Sequence, residues 1–437
     1  MSKMKKVLII TYYWPPAGGP GVQRVLKFAK YLPQFGWQPI ILTVKNGEYP
    51  AIDETLGKDI SENCIVYKTN SLEPNNFYKK LTGMKKDEKI PVAVLSEKNP
   101  GWKKKIANWI RLNLFIPDAK IGWIPFAVKQ GKKIINEHKP DIIFSSSPPP
   151  TVHLIAKKLA KWSGLKWVAD FRDPWTDIDY YYKNTRLTFA TRDDIKKEKL
   201  VLEKATEVIT VGSVLSKRLN VKINRSYHIL PNGYDQEDFT SLKSQHSECE
   251  FTILYVGNTG NERDPYVLFK CLRQLGRENQ IDLTKIKILF IGNISENIKK
   301  HTIEFKELKI NCLGYMDYRN TLNYILNSNI LLLLINNIPD NKGIITSKIF
   351  NYLQSGNFIL GIGPKDGDAS EILKKTNCGK MYNYDEDLSQ IILEQFKNWG
   401  NGKKQNVNNG AIKQYTRKKL TEKLVNIFEN IYNRKVC

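Results

Sequence analysis

Two parts of the chain repeat one pattern, in which an apolar run leads into a loop rich in Gly or Pro and then into apolar residues at helical spacing. The first copy has its apolar run at residues 7–11 and its loop at 15–21. The second copy has its run at 251–256 and its loop at 257–265. A buried strand that passes through such a loop into an amphipathic helix begins a Rossmann-like α/β unit. The repeat therefore predicts an α/β chain with two such domains.

Further apolar runs alternate with helical stretches, which indicates mostly parallel sheets. The other predicted strands are 40–44, 141–145, 167–171, 208–211, 228–230, 287–291, 311–313, 330–335 and 358–362. We predict a first domain over 1–235, with a Lys-rich and aromatic insertion at about 72–125, and a second domain over 249–410. Residues 411–437 are predicted to form a C-terminal helix that could dock on either domain.

The composition is that of a globular chain: 437 residues, of which 41% are hydrophobic. No stretch approaches the roughly 20 apolar residues that cross a bilayer. We interpret the apolar start of the chain as a strand rather than a signal peptide, because Tyr and Pro soon interrupt it. The six cysteines lack the Cys-x-x-Cys spacing of a zinc site, so we expect no metal site and no disulfide framework. A reducing cytoplasm fits these features best.

The formal charge of +24 favours an anionic partner. No RNA-recognition signature, zinc finger or basic zipper helix is present, so we do not expect that partner to be nucleic acid. Residues 101–116 combine lysines with apolar side chains at helical spacing, as in helices that lie at a membrane surface. These side chains are Trp102, Ile106, Trp109 and Ile110, with Asn113 in the same register. The alternative is a helix that packs this face on its own domain, and both interpretations stay open.

The segment from 330 to 364 predicts an anion site. An apolar strand at 330–335 leads through a polar loop to Ser347, a residue type that caps helices, and Gly356 then stops the helix before a strand at 358–362. Ligands of open α/β sheets bind at the carboxyl ends of strands, and a helix that begins at Lys348 directs backbone N–H groups and an ammonium there. The alternative is an ordinary strand, helix and strand without a ligand.

Five stretches, in this order and spacing, resemble the retaining glycosyltransferases of the GT-B fold, and family 4 in particular, over nearly the whole chain. They are residues 12–24, 141–150 with His153, 168–175, 229–239 and the 347–356 helix with its following strand. The resemblance implies two Rossmann-like domains that face each other across a cleft. The N-terminal domain would take the acceptor, and the C-terminal domain a nucleotide-sugar donor. It also implies that no metal is needed.

The resemblance assigns donor-binding roles to positions of this chain. Lys348 matches the phosphate-binding lysine of the family, with Arg263 as its partner, and Gly18 and Gly19 match the glycines of the first loop. The full donor-binding set is Gly18, Gly19, Gly257, Arg263, Thr346, Ser347, Lys348 and Asn351. We expect no cofactor, and a UDP-sugar as co-substrate.

The chain also departs from the family pattern. Many relatives carry two glutamates eight positions apart, and here those positions hold Gly343 and Asn351, which loses charge-assisted contacts to the donor. Where many members place a catalytic His, this chain has Arg172 between Asp170 and Asp173. Arg cannot act as a base at neutral pH, so these three residues form the predicted catalytic set with an aspartate orienting the acceptor hydroxyl.

His153 and Trp175 complete the predicted site as acceptor contacts. For the 170–175 segment, the alternative is a structural corner in which Arg172 pairs with a carboxylate and Trp175 packs. The resulting expectation is a cytoplasmic glycosyltransferase that acts on a lipid-linked or growing glycan in polysaccharide biosynthesis, peripheral to the inner membrane face. A nucleotide-sugar epimerase of the same fold and a non-catalytic partner in a glycan-assembly complex are the alternatives.

Overall fold

The computed structural model describes residues 4–49, 51–72, 102–177, 186–240, 242–243, 247–403 and 405–434. The chain divides into two compact units. Unit 1 comprises Met1–Pro231 and Leu420–Cys437, and unit 2 comprises Asn232–Lys419. The predicted boundaries placed the end of the first domain at 235 and the start of the second at 249.

Unit 1 contains a seven-stranded sheet in the order β3-β2-β1-β4-β5-β6-β7, in which every pair of neighbouring strands is parallel. Its strands are β1 (Lys5–Ile10), β2 (Trp37–Val44), β3 (Ile65–Thr69), β4 (Ile142–Ser147), β5 (Lys166–Phe171), β6 (Glu207–Thr210) and β7 (His228–Ile229). Its helices are α1 (Pro20–Tyr31), α2 (Trp102–Leu114), α3 (Ile124–His138), α4 (Thr151–Ser163), α5 (Thr188–Lys204) and α6 (Ser213–Lys222). Short 3-10 helices lie at Leu32–Phe35, Glu54–Asp59 and Ile121–Trp123.

Each face of the unit 1 sheet carries its own apolar core, because successive side chains of a strand point to opposite faces. In β1, Leu8 and Ile10 enter one core, and Val7 and Ile9 enter the other. This doubly covered arrangement explains the continuous apolar runs from which the strands were predicted.

Unit 2 repeats the plan with a six-stranded parallel sheet in the order β10-β9-β8-β11-β12-β13. The strands are β8 (Phe251–Val256), β9 (Ile286–Ile291), β10 (Lys309–Gly314), β11 (Ile330–Leu334), β12 (Phe358–Ile362) and β13 (Gly379–Tyr382). The helices are α7 (Tyr266–Arg277), α8 (Glu296–Glu304), α9 (Tyr318–Leu326), α10 (Lys348–Ser355), α11 (Asp368–Thr376), α12 (Ser389–Gly400) and α13 (Asn409–Lys413). Short 3-10 helices lie at Gln236–Phe239, Leu283–Lys285 and Asn341–Gly343.

The last helix, α14 (Arg417–Asn433), carries the chain back to unit 1. Its Leu424 and Phe428 join the unit 1 core, where the Phe428 ring centroid lies 5.2 Å from that of Trp37. The indole Nε1 of Trp37 donates to Glu429 Oε1 at 2.8 Å. The sequence left open which domain this helix contacts. In the structure, its C-terminal part packs on unit 1.

The predicted α/β class and mostly parallel sheets are confirmed. Two strands were missed, β3 and β13, because both are short and mix polar with apolar residues. The predicted insertion at 72–125 contains α2 and a 3-10 turn, and its residues 73–101 lie outside the described residues.

Candidate functional site

The first candidate site lies at the start of α10, in unit 2. The helix begins at Lys348 as predicted, buries Ile349, Tyr352 and Leu353, and ends where Gly356 adopts the left-handed conformation with φ 72°. Ser347 occupies the N-cap position, as predicted, but its backbone angles are helical and its side chain makes no capping hydrogen bond. Packing of these buried side chains holds α10 in place and so positions Lys348 at its start.

The ammonium of Lys348 is buried without a hydrogen-bond partner among the residues that the structure describes. Its Nζ atom lies 3.8 Å from the ring centroid of Tyr255, at a distance typical of a cation–π contact. Burial, together with the nearby positive charge of Arg263, lowers the pKa of Lys348 well below its ordinary value. A buried cation without a counter-ion is costly, and an anion bound beside Lys348 would offset that cost.

Gly257 makes room for that ammonium. A Cβ atom at this position would lie 3.0 Å from Lys348 Nζ, and the residue has φ +119°, which disfavours L side chains. The glycine predicted for donor binding is therefore required here for two reasons.

Arg263 supplies a second positive charge close to Lys348. Its Nη1 donates to the Asn258 carbonyl at 3.0 Å, and its Nε donates to Asn336 Oδ1 at 2.5 Å. Neither cation forms an ion pair with a carboxylate in the described part of unit 2. The hydroxyl of Thr346 is also buried without a partner there. The structure thus brings four of the predicted donor residues together and adds Tyr255 and Asn336.

Asn351 lies one turn further along α10, in a different polar network. Its side chain hydrogen-bonds the hydroxyl of Tyr318, and that hydroxyl donates to Asp238 Oδ2 at 2.9 Å. Burial and the Asp238 charge raise the pKa of Tyr318. Sequence reasoning missed both partners, because Asp238 and Tyr318 are far from position 351 in the chain.

In unit 1, the predicted glycines lie in the loop after β1. The backbone N of Gly18 donates to the Ala51 carbonyl at 2.9 Å, and a Cβ on Gly18 would lie 3.1 Å from that of Asp53. Gly19 has φ +88° and precedes α1. Packing of the loop against residues 51–53 explains why Gly18 carries no side chain.

Two members of the predicted catalytic set are engaged in internal bonds at the carboxyl end of β5. The buried Asp170 accepts two hydrogen bonds from Arg24, from Nη2 at 2.8 Å and from Nε at 2.9 Å. The buried Arg172 donates to the carbonyls of Gly21, Ser147 and Pro148. Asp170 is thus paired with Arg24, and Arg172 instead links two segments, the start of α1 and the end of β4 with the residue that follows it.

Asp173 differs from its two neighbours because solvent reaches it. Surrounding protein atoms nevertheless raise the pKa of its carboxyl by desolvation, while Arg172 opposes the shift. An accessible carboxyl with a raised pKa suits acid–base chemistry. Of the predicted catalytic set, Asp173 is the member that a substrate can reach directly.

The predicted acceptor contacts lie inside the protein. His153 is fully buried, stacks on Phe171 with ring centroids 4.5 Å apart, and has its Nδ1 2.8 Å from the hydroxyl of Ser145. Desolvation lowers its pKa to about 3. Trp175 is also buried and donates from Nε1 to Asp194 at 2.7 Å. Direct contact of either ring with an acceptor would require this part of unit 1 to open.

Helix α2 leaves several apolar side chains exposed. Trp102, Ile106 and Trp109 are 67%, 44% and 43% exposed, whereas Asn113 in the same register is buried, as are Asn108 and Leu112 elsewhere on the helix. The Asn113 side chain accepts from the Leu187 backbone N at 2.6 Å. The face that carries the tryptophans is therefore packed at Asn113, but the described residues leave Trp102, Ile106 and Trp109 partly uncovered.

No described helix is both long enough and apolar enough to span a bilayer. In the same part of the chain, no group of three or more His, Cys, Asp or Glu side chains is arranged to hold a metal ion.

No family model matches the sequence. No curated protein matches it either. The structure, however, is similar over nearly its whole length to solved proteins. A glycosyltransferase from Rickettsia africae ESF-5 has a TM-score of 0.61 at 16% identity, with 98% of each chain covered.

Two more structures extend the comparison. WaaG, a glycosyltransferase involved in lipopolysaccharide biosynthesis, has a TM-score of 0.55 at 11% identity, covering 96% of this chain and 99% of that one. A protein classed as a UDP-N-acetylglucosamine 2-epimerase, from Listeria monocytogenes, has a TM-score of 0.53 at 9% identity, covering 99% and 98%. The chain therefore has the GT-B fold, and because that fold serves more than one chemistry, its activity is a question for the site.

Proposed function

We propose that the protein is a glycosyltransferase of the family 4 type, which moves a sugar from a nucleoside-diphosphate sugar to a lipid-linked or growing glycan acceptor. The Lys348 ammonium carries the proposal, because it is buried beside Arg263 and the glycine turn and has no hydrogen-bond partner among the described residues. Unit 2 takes the donor and unit 1 the acceptor. We further propose a UDP-sugar donor, retention of anomeric configuration, independence of a metal ion and a place in polysaccharide biosynthesis.

In the proposed reaction, the bond between the anomeric carbon and the diphosphate oxygen breaks, and its electron pair goes to that oxygen. An acceptor hydroxyl oxygen bonds to the anomeric carbon and gives up its proton to Asp173. Lys348 and Arg263 stabilise the negative charge that grows on the leaving diphosphate, which is electrostatic catalysis by fixed donors. The diphosphate also supplies the counter-ion that the Lys348 ammonium lacks.

The first experiment measures thermal stabilisation of the purified chain by UDP, GDP and dTDP, for the wild type and for Lys348→Ala. Ligand at 100 times its Kd stabilises by about 2.7 kcal/mol. We expect one nucleotide to stabilise the wild type but not the variant. Lys342→Ala is the matched control, since Lys342 lies in the loop before α10 and its exposed ammonium pairs with Asp366. Equal stabilisation of all three chains, or of none, would contradict the donor site.

We also propose that the protein works in the cytoplasm, at the inner membrane face, and that α2 is its contact with the bilayer. Exposed tryptophans in a protein with a high positive charge are typical of binding to an anionic lipid surface. Trp109→Ser is expected to reduce co-sedimentation with phosphatidylglycerol vesicles. Trp162→Ser is the control, because that residue is 45% exposed, close to the 43% of Trp109, but lies on α4. Equal loss in both variants would argue against a specific role of α2.

One observation favours a second candidate, a non-catalytic partner in glycan assembly. Gly343 and Asn351 provide no carboxylate for the donor sugar and ribose, and Asn351 is engaged with Tyr318. The two functions differ in turnover. A nucleotide sugar that binds but is neither transferred to glycan acceptors nor epimerised would establish the non-catalytic role.

A further inference from the structure

The surface of unit 1 has an open pocket of about 330 Å³ with four solvent-exposed lysines in its lining. It opens beside the carboxyl ends of β2 and β3 and is closed on one side by α3. We call it the lysine pocket, and define it by its lining residues. They are Lys45, Lys68, Thr69, Asn70, Phe126, Lys129, Gln130 and Lys133.

Backbone hydrogen bonds join β2 and β3 beside the lysine pocket. The backbone N of Lys45 donates to the Thr69 carbonyl at 2.7 Å, which extends the pairing of β2 with β3 past the end of β2. The Thr69 hydroxyl accepts from Trp123 Nε1 at 2.7 Å, so its own hydrogen remains available for a ligand. Ligand sites of parallel sheets occur at this edge.

The charges of the lysine pocket are not balanced by the protein. Its lining contains no carboxylate, and none of its four lysines forms an ion pair within the described residues. Other lysines of unit 1 do find acidic partners, as Lys27 and Lys30 do with Asp59. Lys129 and Lys133 are also four residues apart on α3, a spacing at which like charges destabilise a helix.

We propose that the lysine pocket binds a phosphate-bearing ligand, at a site separate from the donor site of unit 2. Four ammonium groups, a hydroxyl and two amides are donors suited to a multiply charged phosphate, and its binding relieves their mutual repulsion. The Phe126 side chain can pack against the organic group to which the phosphate is esterified. The ligand is either a soluble phosphate ester or the phosphate headgroup of a lipid.

The test uses inorganic pyrophosphate as the probe and titration calorimetry as the readout. All chains carry Lys348→Ala, so that the proposed donor site does not report. We compare the pocket variant Lys129→Gln/Lys133→Gln with the control variant Lys158→Gln/Lys161→Gln, which removes the same charge from exposed positions on α4. We expect at least tenfold weaker binding for the pocket variant alone, with a shallower dependence on salt. Equal affinity in the two variants would overturn the proposal.

A second arm identifies the source of the phosphate. Both variants are sedimented with vesicles of phosphatidylcholine to which phosphatidic acid is added, with and without competing pyrophosphate. Loss of vesicle binding in the pocket variant assigns the ligand to a lipid headgroup, and loss of pyrophosphate binding alone assigns it to a soluble ester. With Lys348 restored, the pocket variant should bind UDP as the wild type does. Failure of the donor site would therefore appear separately.

Discussion

Replacing Lys348 by Met should stabilise the fold and abolish donor binding at once. Met has nearly the length of Lys and keeps an apolar contact with the Tyr255 ring, but it carries no charge. In the wild type, the ammonium is buried with no hydrogen-bond partner among the described residues. The substitution therefore removes a cost from the unliganded protein and, with it, the group that we propose holds the diphosphate.

The size of the stabilisation can be bounded. A buried lysine can release its proton, so at pH 7 its charge cannot cost more than about 1.36 kcal/mol for each pH unit below its unfolded pKa of about 10.4, or ~4.6 kcal/mol. The cation–π contact with Tyr255 at 3.8 Å offsets up to about 2 kcal/mol of this. We expect Lys348→Met to gain about 2 kcal/mol, which corresponds to roughly 4–8 °C in Tm for a unit of this size.

The gain should depend on pH in a defined direction. Folding lowers the pKa of Lys348, so between the folded and unfolded pKa values the unfolded chain binds more protons. Wild-type stability therefore rises with pH across that window, relative to the Met variant. The advantage of Met is largest below the folded pKa and fades as pH approaches the unfolded value.

Urea denaturation between pH 6 and 10, with and without UDP, measures these effects together. UDP at 100 times its Kd should add about 2.7 kcal/mol to the wild type and nothing to Lys348→Met. Lys342→Met is the control and should change stability by less than about 1 kcal/mol, since exposed ion pairs contribute little. A Met variant that is less stable at every pH would refute the reasoning, because the ammonium would then be satisfied in the folded protein.

Three other substitutions test neighbouring parts of the argument. Gly257→Ala should weaken UDP binding at least tenfold by displacing the ammonium, whereas Gly402→Ala, also at positive φ but with open space around it, should leave UDP binding unchanged. Asp170→Asn leaves Arg24 buried without its counter-charge, and we expect a loss of about 3–5 kcal/mol in urea unfolding. Asp173→Asn should remove the acidic limb of the pH–rate profile of transfer, which lies above the range of an ordinary aspartate because its pKa is raised. As a control, Asp173→Asn should leave the affinity for UDP unchanged.

The sequence was most informative where one local pattern determines the structure. Strands such as β8, β11 and β12 are continuous apolar runs because both faces of a parallel sheet are covered. Helix α10 begins at Lys348 and stops at Gly356 as predicted, because an amphipathic stretch and a glycine that accepts positive φ specify both ends.

What the sequence could not give depends on contacts between distant residues. Tyr255 lies on strand β8 and Lys348 at the start of helix α10. Only the folded sheet brings the Tyr255 ring next to the Lys348 ammonium. Likewise, the pairing of Asp170 with Arg24 joins positions 146 residues apart. A local pattern in the 170–175 segment shows charged side chains, but it cannot show which of them are already neutralised by a partner.

The resemblance implies a glutamate at position 351, and this network gives a physical explanation for the Asn found there. The Tyr318 hydroxyl bonds Asn351 and also donates to Asp238, so a carboxylate is already present beside position 351. A glutamate there would place a second negative charge next to the first. Two such charges separated by one hydroxyl repel by about 1–3 kcal/mol at an effective dielectric constant near 20.

A double-mutant cycle tests this explanation. Asn351→Glu alone should lower the free energy of unfolding at pH 7 by about 1–3 kcal/mol, and adding Asp238→Asn should restore most of it. The coupling energy from urea denaturation of the four chains is the measurement, because residues in one network are non-additive. Effects that add within about 0.5 kcal/mol would show that the two positions are independent. Coupling would show that the Asp238 carboxylate, in the Gln236–Phe239 turn, disfavours a second negative charge at position 351.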